Sequence, residues 1–190
     1  GYSILVVSVV MAHGSQRGDF IPVLWENLAD PIITGREELG WPKLYADIPP
    51  VNIVADQYRG AALWRGFRFF EIELSELREA VVPALPPRGQ FHYKYIPRTG
   101  SLGEADVEYL GYSAYGAAGY APLLPVTKLV GKGSFRFFPA RWEDMPFQYP
   151  IVNYLAELPV LDVVEASVTR LAAQAPWPPA EAQSGDHSTR

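Results

Sequence analysis

One lysine has a sequence environment suited to nucleophilic chemistry. The chain has four lysines against twelve arginines, and Lys43 lies between Trp41-Pro42 and Leu44-Tyr45, with no other charge from residue 39 to 46. Apolar surroundings disfavour the charged form of an amine, and a neutral amine at pH 7 can attack a ketone. The same pattern also fits an ordinary lysine whose aliphatic stem lies along an apolar surface. The residue pattern alone leaves both interpretations open.

Other common catalytic groups are scarce. The chain has no cysteine, which excludes disulfides, thiolate nucleophiles and cysteine-ligated metal centres. The three histidines, His13, His92 and His187, are not spaced as metal ligands, and we predict no metal site. The sequence contains no G-x-S-x-G segment that could carry a hydrolase nucleophile.

The charge and the apolar runs argue against two kinds of partner. The net charge is -5, whereas phosphate binding needs clustered lysines and arginines, so we predict no nucleic-acid partner. The apolar run Ser3–Ala12 is shorter than the ~18 residues of a membrane-spanning helix, so we predict no membrane partner. Its β-branched residues favour a core strand. Because the chain opens abruptly on Gly1, we expect a truncated or processed start.

The elements that position Lys43 are predicted to be mostly strands, since 16 glycines, 18 prolines and 13% aromatic residues favour short extended segments joined by turns. The predicted strands are Ser3–Ala12, Phe20–Trp25, Ala61–Leu74 with a bulge near Gly66, Phe91–Ile96, Ala105–Ala114, Thr127–Phe138 and Val160–Leu171. The predicted helices are Glu76–Val82, capped by Ser75, and Gln148–Glu157. We therefore predict an α+β fold that is mainly antiparallel, built as a closed or partly closed β-barrel with a few short helices.

The length of 190 residues fits one domain with a substantial core. We predict that residues 1–171 form this single domain. Residues 172–190 are rich in Ala, Pro, Gln and Ser, which predicts a disordered tail.

The lysine lies in a segment that resembles a known family motif. Residues 35–43 read GREELGWPK, which strongly resembles the G-R-E…(Y/F/W)-P-K motif of the acetoacetate decarboxylase family, where the lysine after proline forms the Schiff base. Gly18-Asp19-Phe20, the strand Tyr93–Pro97 and the segment Gln148–Val160 are similar to further family patterns. The resemblance covers roughly residues 1–170.

The resemblance implies a function for Lys43. Its amine would condense with the ketone of a β-keto acid, the protonated imine would allow CO2 to leave, and protonation and hydrolysis would release the ketone. This family is itself the standard example of a lysine activated by desolvation or by a neighbouring cation. The implied protein is a carboxy-lyase with a cone-like β-barrel and an apolar pocket, which acts on a small-molecule keto acid without a metal or organic cofactor. We also expect a homo-oligomer with a cytoplasmic location.

The resemblance also suggests roles for residues around Lys43. The expected substrate contacts are Trp41 and Tyr45, and Trp25 is added only because of its position in a predicted strand. The expected structural residues of the motif are Gly35, Arg36, Glu37 and Pro42. Within an extended segment, Trp41 and Tyr45 share the face of Lys43 and provide an apolar wall. Arg36 is expected to pair with Glu37, Glu38 or a loop.

Three departures from the family pattern stand out. Leu44 occupies the position at which many members carry a second lysine, although a side chain there points away from the face of Lys43. Ungapped alignment from Lys43 places Ile4 at the position of a pocket glutamate, so we expect that carboxylate to be absent. We also expect the pocket arginine and second glutamate of the family's N-terminal segment to be missing.

Three functions therefore stay open. The first is decarboxylation of acetoacetate or a related β-keto acid through an imine on Lys43. The second is an aldolase or dehydratase reaction of other keto acids through the same imine, which the missing carboxylate favours. The third is a non-catalytic barrel that binds small molecules, which the loss of pocket charges favours.

Overall fold

The described residues form two sheets and two short α-helices. The computed structural model describes residues 1–82, 89–113 and 125–172. The strands are β1 (Ile4–His13), β2 (Gln16–Glu26), β3 (Lys43–Tyr45), β4 (Asn52–Val54), β5 (Gln57–Trp64), β6 (Phe67–Ala80), β7 (Gly89–Pro97), β8 (Ala105–Ser113), β9 (Pro125–Phe137) and β10 (Ala166–Leu171). The helices are α1 (Ala29–Thr34), which continues into a π-helical turn (Gly35–Leu39), and α2 (Tyr149–Glu157).

The first sheet carries Lys43. Its strand order is β1-β2-β7-β8, and β3 pairs with β2. Strand β2 changes partner along its length, since Gly18–Phe20 pair in parallel with β7 and Leu24–Glu26 pair in parallel with β3. The close approach of β7 requires glycine, because a Cβ on Gly18 would lie 2.3 Å from the carbonyl oxygen of Gly89. The end of β2 is thereby left for β3.

The second sheet forms the core together with the first. Its strand order is β10-β9-β6-β5-β4, and all of these pairs are antiparallel. Trp25 of β2 packs against Phe69 of β6, with 5.2 Å between the ring centroids. Met145 and Val152 belong to the same buried cluster. Large buried aromatic rings contribute much of a core's apolar area, so this cluster anchors the strand that leads to the site.

The predicted fold class is confirmed, but the closed barrel is not. The fold is α+β and mainly antiparallel, with short helices. In the described ranges both sheets stay open, with β1 and β8 as edges of the first and β10 and β4 as edges of the second. An isolated bridge between Asp47 and Leu63 connects the segment after β3 to β5. The sheets therefore meet through an isolated bridge and side-chain packing, without a continuous ladder that would close them.

The predicted long strand Ala61–Leu74 is instead a hairpin. Trp64 pairs with Phe67 across the two residues Arg65 and Gly66, whose φ angles are 46° and 89°. Two successive left-handed residues are typical of the type I′ turn, which matches the twist of paired strands. The feature predicted as a bulge near Gly66 is the turn between β5 and β6.

The predicted helix at residues 76–82 is wrong, because β6 continues to Ala80 and pairs with β9. The register shifts after Ser75, where Glu76 has a φ of 54°. Gly131 permits the close approach of β9, since a Cβ there would lie 2.4 Å from the Ser75 carbonyl oxygen. Pairing across a β-bulge has overridden the local helix signals.

Other predicted elements are confirmed with changed bounds. The helix predicted at Gln148–Glu157 is α2. The last strand begins only at Ala166, whereas it was predicted from Val160. The predicted tail at 172–190 lies outside the described residues except for Ala172.

Candidate active site

Lys43 begins β3, and only 4% of its side chain is exposed. Its Nζ donates a hydrogen bond to Glu26 Oε1 at 2.7 Å and another to the Pro31 carbonyl oxygen at 2.9 Å. The ring of Trp41 lies 4.9 Å from the same nitrogen. An anion, a carbonyl dipole and an aromatic face all attract a cation. The amine is therefore held by polar and aromatic partners, in contrast to the wholly apolar setting that its neighbours in sequence predict.

Glu26 is the carboxylate of this site. It ends β2, is fully buried, and leaves its second oxygen, Oε2, without a hydrogen-bond partner. Glu26 lies opposite Ile4 in the pairing of β1 with β2. Ile4 itself carries no carboxylate, as expected, and the carboxylate beside Lys43 comes instead from Glu26 on the neighbouring strand. The sequence signal for this carboxylate is a glutamate directly after the apolar run Val23–Trp25.

The π-helical turn leaves room for the lysine side chain. A Cβ on Gly35 would lie 2.2 Å from Lys43 Cε and 2.7 Å from its Nζ. Gly40 ends the turn with a left-handed φ of 73°, and its N–H bonds to the Gly35 carbonyl oxygen. The N–H of Trp41 donates to the same oxygen at 3.0 Å. Gly35 is thus required by the packing of Lys43.

Arg36 holds the backbone of Lys43. Its Nη1 donates a hydrogen bond to the Lys43 carbonyl oxygen at 3.0 Å. The arginine was expected to pair with Glu37, Glu38 or a loop, and its bond is to the backbone at the start of β3. Because this bond joins the π-helical turn to β3, it fixes the position of the lysine relative to the turn.

A second buried lysine supports the turn from the neighbouring strand. Lys94 of β7 is 5% exposed, and its Nζ donates to the Arg36 carbonyl oxygen at 2.9 Å and to the carbonyl oxygen of Glu37. The last carbonyl groups of a helical segment lack partners in the segment itself, and a lysine can satisfy them. Glu37 therefore takes part through its backbone. Sequence reasoning did not predict this role for Lys94.

Trp41 lies between Lys43 and His92. Its indole N–H donates to His92 Nδ1, and the two rings stack with 5.8 Å between centroids and 16° between planes. Burial lowers the pKa of His92, which favours the neutral imidazole that can accept this bond. Trp41 thus lies beside the amine, where a substrate contact was expected. His92 is connected to the site through its contact with Trp41. The two residues lie far apart in the sequence, so the spacing of residues along the chain could not indicate this contact.

Pro42 and Tyr45 flank Lys43 along β3. The Pro42 carbonyl oxygen accepts a hydrogen bond from Leu24 N–H at 3.3 Å, so it starts the pairing with β2. Tyr45 is 43% exposed, and its hydroxyl donates to Asp47 Oδ1 at 2.8 Å. This hydrogen bond to a carboxylate raises the pKa of Tyr45. Tyr45 lies on the strand face of Lys43 and reaches the solvent.

Trp25 lies outside the surroundings of Lys43. It is fully buried in the core, and its indole N–H donates to Gln148 Oε1 at 2.9 Å. Successive strand residues point to opposite faces, so Trp25 points away from the face that carries Glu26. Leu44 also packs against the core, as expected for the neighbour of Lys43. Trp25 is therefore a core residue, contrary to its expected place at the substrate.

The described ranges contain neither a candidate metal centre nor a candidate membrane-spanning helix. No three His, Asp or Glu side chains there cluster in a way that could hold a metal ion. No described helix is long and apolar enough to cross a membrane.

Fold and site together define an α+β protein of two mainly antiparallel sheets, in which a buried lysine at the end of a GREELGWPK segment is paired with a glutamate. A family model described as acetoacetate decarboxylase matches residues 1–175. The chain belongs to the acetoacetate decarboxylase family, as its motif predicts. Among curated protein sequences, none matches this chain.

Solved structures share this fold at low sequence identity. A structure of acetoacetate decarboxylase aligns with a TM-score of 0.66 at 16% identity, covering 85% of this chain and 61% of that one. Acetoacetate decarboxylase from Legionella pneumophila aligns with a TM-score of 0.66 at 17% identity, covering 90% and 67%. The enduracididine biosynthesis enzyme MppR, complexed with pyruvate, aligns with a TM-score of 0.60 at 18% identity, covering 90% and 66%. The chain thus spans 61% to 67% of the length of these three neighbours.

Proposed function

We propose that the protein is a Schiff-base-forming carboxy-lyase that decarboxylates acetoacetate or a related β-keto acid through an imine on Lys43. The observation that carries the proposal is the buried amine of Lys43, which the family's motif presents to Glu26 and Trp41. Membership in the acetoacetate decarboxylase family supports an enzyme of this general type.

Lys43 supplies the nucleophile of the proposed reaction. Its unprotonated Nζ attacks the ketone carbon, and loss of water gives a protonated imine. The imine accepts the electron pair of the C–C bond as CO2 leaves, which forms an enamine. The enamine takes up a proton on carbon, and water then hydrolyses the imine. These steps release the ketone and regenerate the amine.

The surroundings of Nζ suit a cationic imine. The Trp41 ring face, 4.9 Å away, attracts positive charge on the imine nitrogen as it does on the amine. The Glu26 carboxylate at 2.7 Å provides the opposite charge. Because these partners are in place before the reaction, positive charge at this nitrogen needs little reorganisation of the protein.

Trp41 and Tyr45 are the substrate contacts in this proposal. Trp41 lies against the amine, and Tyr45 shares the strand face of Lys43 beside Glu26. Tyr45 is 43% exposed, which supports a position at the rim of the site, where incoming substrate would meet it.

The proposal includes a homo-oligomer, while the cytoplasmic location stays a prediction. Several apolar side chains on β1, including Val6, Val9 and Val10, are exposed. Exposed apolar patches mark interaction surfaces, which supports self-association. Light scattering after size-exclusion chromatography measures the mass, and a monomer would contradict this part of the proposal.

A second candidate is an aldolase or dehydratase reaction of a keto acid through the same imine. It is favoured by the pyruvate complex of MppR, whose fold is similar at a TM-score of 0.60. A carboxylate beside the imine, as Glu26 is, could remove the α-proton that such a reaction requires. Release of CO2 from acetoacetate separates the two candidates.

Borohydride trapping tests the shared step. The protein is mixed with acetoacetate, reduced with borohydride and digested, and the modified residue is found by mass spectrometry. We expect an adduct on Lys43 that is lost in Lys43→Ala and kept in Lys132→Ala, which removes a lysine whose side chain is 74% exposed. A Lys43 adduct without CO2 release would favour the second candidate. No adduct, with ligand binding unchanged in Lys43→Ala, would leave a binding protein.

A further inference from the structure

We propose that Glu26 is a catalytic acid–base residue, which takes a proton from Lys43 before the attack on substrate and returns it when water leaves. The inference rests on the proposed function, in which Lys43 forms an imine. It assigns the proton transfers of imine formation to a carboxylate that lies outside the GREELGWPK segment.

Glu26 is the partner of Nζ that can accept a proton. Its Oε1 lies 2.7 Å from Nζ, within the range of direct proton transfer. The other two partners, the Pro31 carbonyl oxygen and the Trp41 ring, cannot hold a proton near neutral pH. Both members of the pair are buried, with Lys43 4% and Glu26 0% exposed, so the transfer is shielded from bulk water.

The second oxygen of Glu26 is left without a partner. Oε2 is buried and makes no hydrogen bond among the described residues. A buried ion pair contributes to stability only when its remaining lone pairs are also satisfied, and an unsatisfied buried polar atom costs about 1–3 kcal/mol. A structural pair would lose stability from this arrangement, whereas an acid–base group can use the free oxygen. Oε2 can exchange a proton with the substrate oxygen while Oε1 remains beside Nζ.

The proton balance of the step closes within the pair. The ammonium of Lys43 gives one proton to the Glu26 carboxylate, which leaves a neutral amine and a carboxylic acid. The amine forms a C–N bond to the ketone carbon, and one N–H proton moves to the former ketone oxygen, giving a carbinolamine. Glu26 then protonates that hydroxyl, the C–O bond breaks and water leaves. The products are a cationic imine and the original carboxylate, so the buried site again holds one positive and one negative charge.

A shared proton has a recognisable pH dependence. The ammonium–carboxylate and amine–carboxylic acid forms of Lys43 and Glu26 bind the same number of protons, so their ratio is independent of pH while the pair holds one proton. Other ionisable side chains around the pair are Tyr45, register partner of Glu26, Arg36, on the Lys43 carbonyl, and His92, on the far side of Trp41. In the described ranges none of them bonds to Nζ or to the Glu26 carboxylate, so the pair sets the profile.

The rate of imine formation tests the proposal. Protein and acetoacetate are mixed for short times between about pH 6 and 9, quenched with borohydride, and the Lys43 adduct is quantified. In the unmodified protein we expect a rate that is flat over this range. In Glu26→Gln the proton must leave to solvent. Near pH 7 the rate of this variant should be lower than that of the unmodified protein by about 10²-fold or more. As the pH increases, the rate of the variant should rise by up to about tenfold per pH unit. Glu38→Gln removes an exposed carboxylate and is the matched control.

The possible outcomes separate the two proposals. No adduct on Lys43 at any pH overturns the proposed function and this inference with it. An adduct that forms in Glu26→Gln at the same rate and with the same profile overturns the inference alone. If Glu26→Gln fails to fold, the pH profile of the unmodified protein still tests the inference. A rate that rises about tenfold per pH unit in the unmodified protein would show that solvent takes the proton, and it would overturn the inference. Glu26→Asp, which keeps the carboxylate, should retain the flat profile at a lower rate.

Discussion

Lys43 and Glu26 are bonded although they are not register partners. In the parallel pairing of β2 with β3, Leu24 lies beside Lys43 and Glu26 lies beside Tyr45, yet Nζ reaches Glu26 Oε1 at 2.7 Å. The lysine side chain therefore leans along the sheet towards the end of β2. There it also meets the carbonyl oxygen of Pro31 in α1. The end of β2, the start of α1 and the start of β3 thus meet at one nitrogen.

The first prediction concerns the stability of this pair. Lys43→Met leaves the Glu26 carboxylate buried without its partner, so we expect a loss of about 3–5 kcal/mol in the free energy of unfolding. The double variant Lys43→Met with Glu26→Gln carries no buried charge and should lose less than Lys43→Met alone. Urea unfolding measures all four proteins of the cycle. A double variant whose loss equals the sum of the single losses would contradict the coupling.

The second prediction concerns the space that Gly35 leaves. A methyl group in Gly35→Ala would collide with Lys43 Cε and Nζ, so the lysine must move away from Glu26. We expect a loss of about 1–3 kcal/mol in stability and a marked fall in the borohydride adduct on Lys43. Gly111→Ala is the matched control, because a Cβ there meets nothing closer than 3.6 Å. Equal adduct yields in the two variants would rule out this role for Gly35.

Much of the site around Lys43 was predictable because the motif is local in sequence. Gly35, Trp41 and the lysine lie within nine residues and belong to the motif that is the most specific part of the resemblance. Glu26 was missed because its relation to Lys43 depends on the parallel pairing of β2 with β3. Ungapped alignment from Lys43 places Ile4 at the position of the family's pocket glutamate. Only the antiparallel register of β1 with β2 shows that Glu26 lies directly across from Ile4.

The errors in the fold have similar physical causes. Arg65-Gly66 was interpreted as a bulge because the apolar alternation continues on both sides, while the turn depends on two left-handed backbone angles. The segment after Ser75 carries helix signals, but its pairing with β9 outweighs them. Local propensity is weak compared with a ladder of strand hydrogen bonds. The secondary structure of such segments is therefore determined by strand partners that are distant in the sequence.

The third prediction concerns pH and His92. Burial lowers the pKa of His92 below its ordinary value of 6.5, so the unfolded chain binds more protons than the folded protein just below that value. The free energy of unfolding should therefore fall as the pH decreases from 6.5 through the folded pKa. Protonated Nδ1 could no longer accept the Trp41 N–H, so Trp41 fluorescence should change over the same range. Urea unfolding at several pH values measures the slope, and an equal slope in His92→Phe would refute the assignment.

The fourth prediction concerns Lys94, which acts on Lys43 only through the π-helical turn. Lys94→Met keeps the length of the side chain but leaves the carbonyl oxygens of Arg36 and Glu37 without their donor. Because these part-buried carbonyl groups lose a charged hydrogen-bond donor, the variant should be less stable than Lys132→Met, which changes an exposed lysine.

A loosened turn would also move Gly35 and the Arg36 side chain, which together hold Lys43 in place. The Lys43 adduct should therefore form more slowly in Lys94→Met while its pH profile keeps the flat shape of the unmodified protein, because Glu26 is unchanged. A changed profile at an unchanged stability would mean that Lys94 takes part in proton transfer itself. Lys94 would then be a member of the reacting group, and its bonds to the turn would not be its main role.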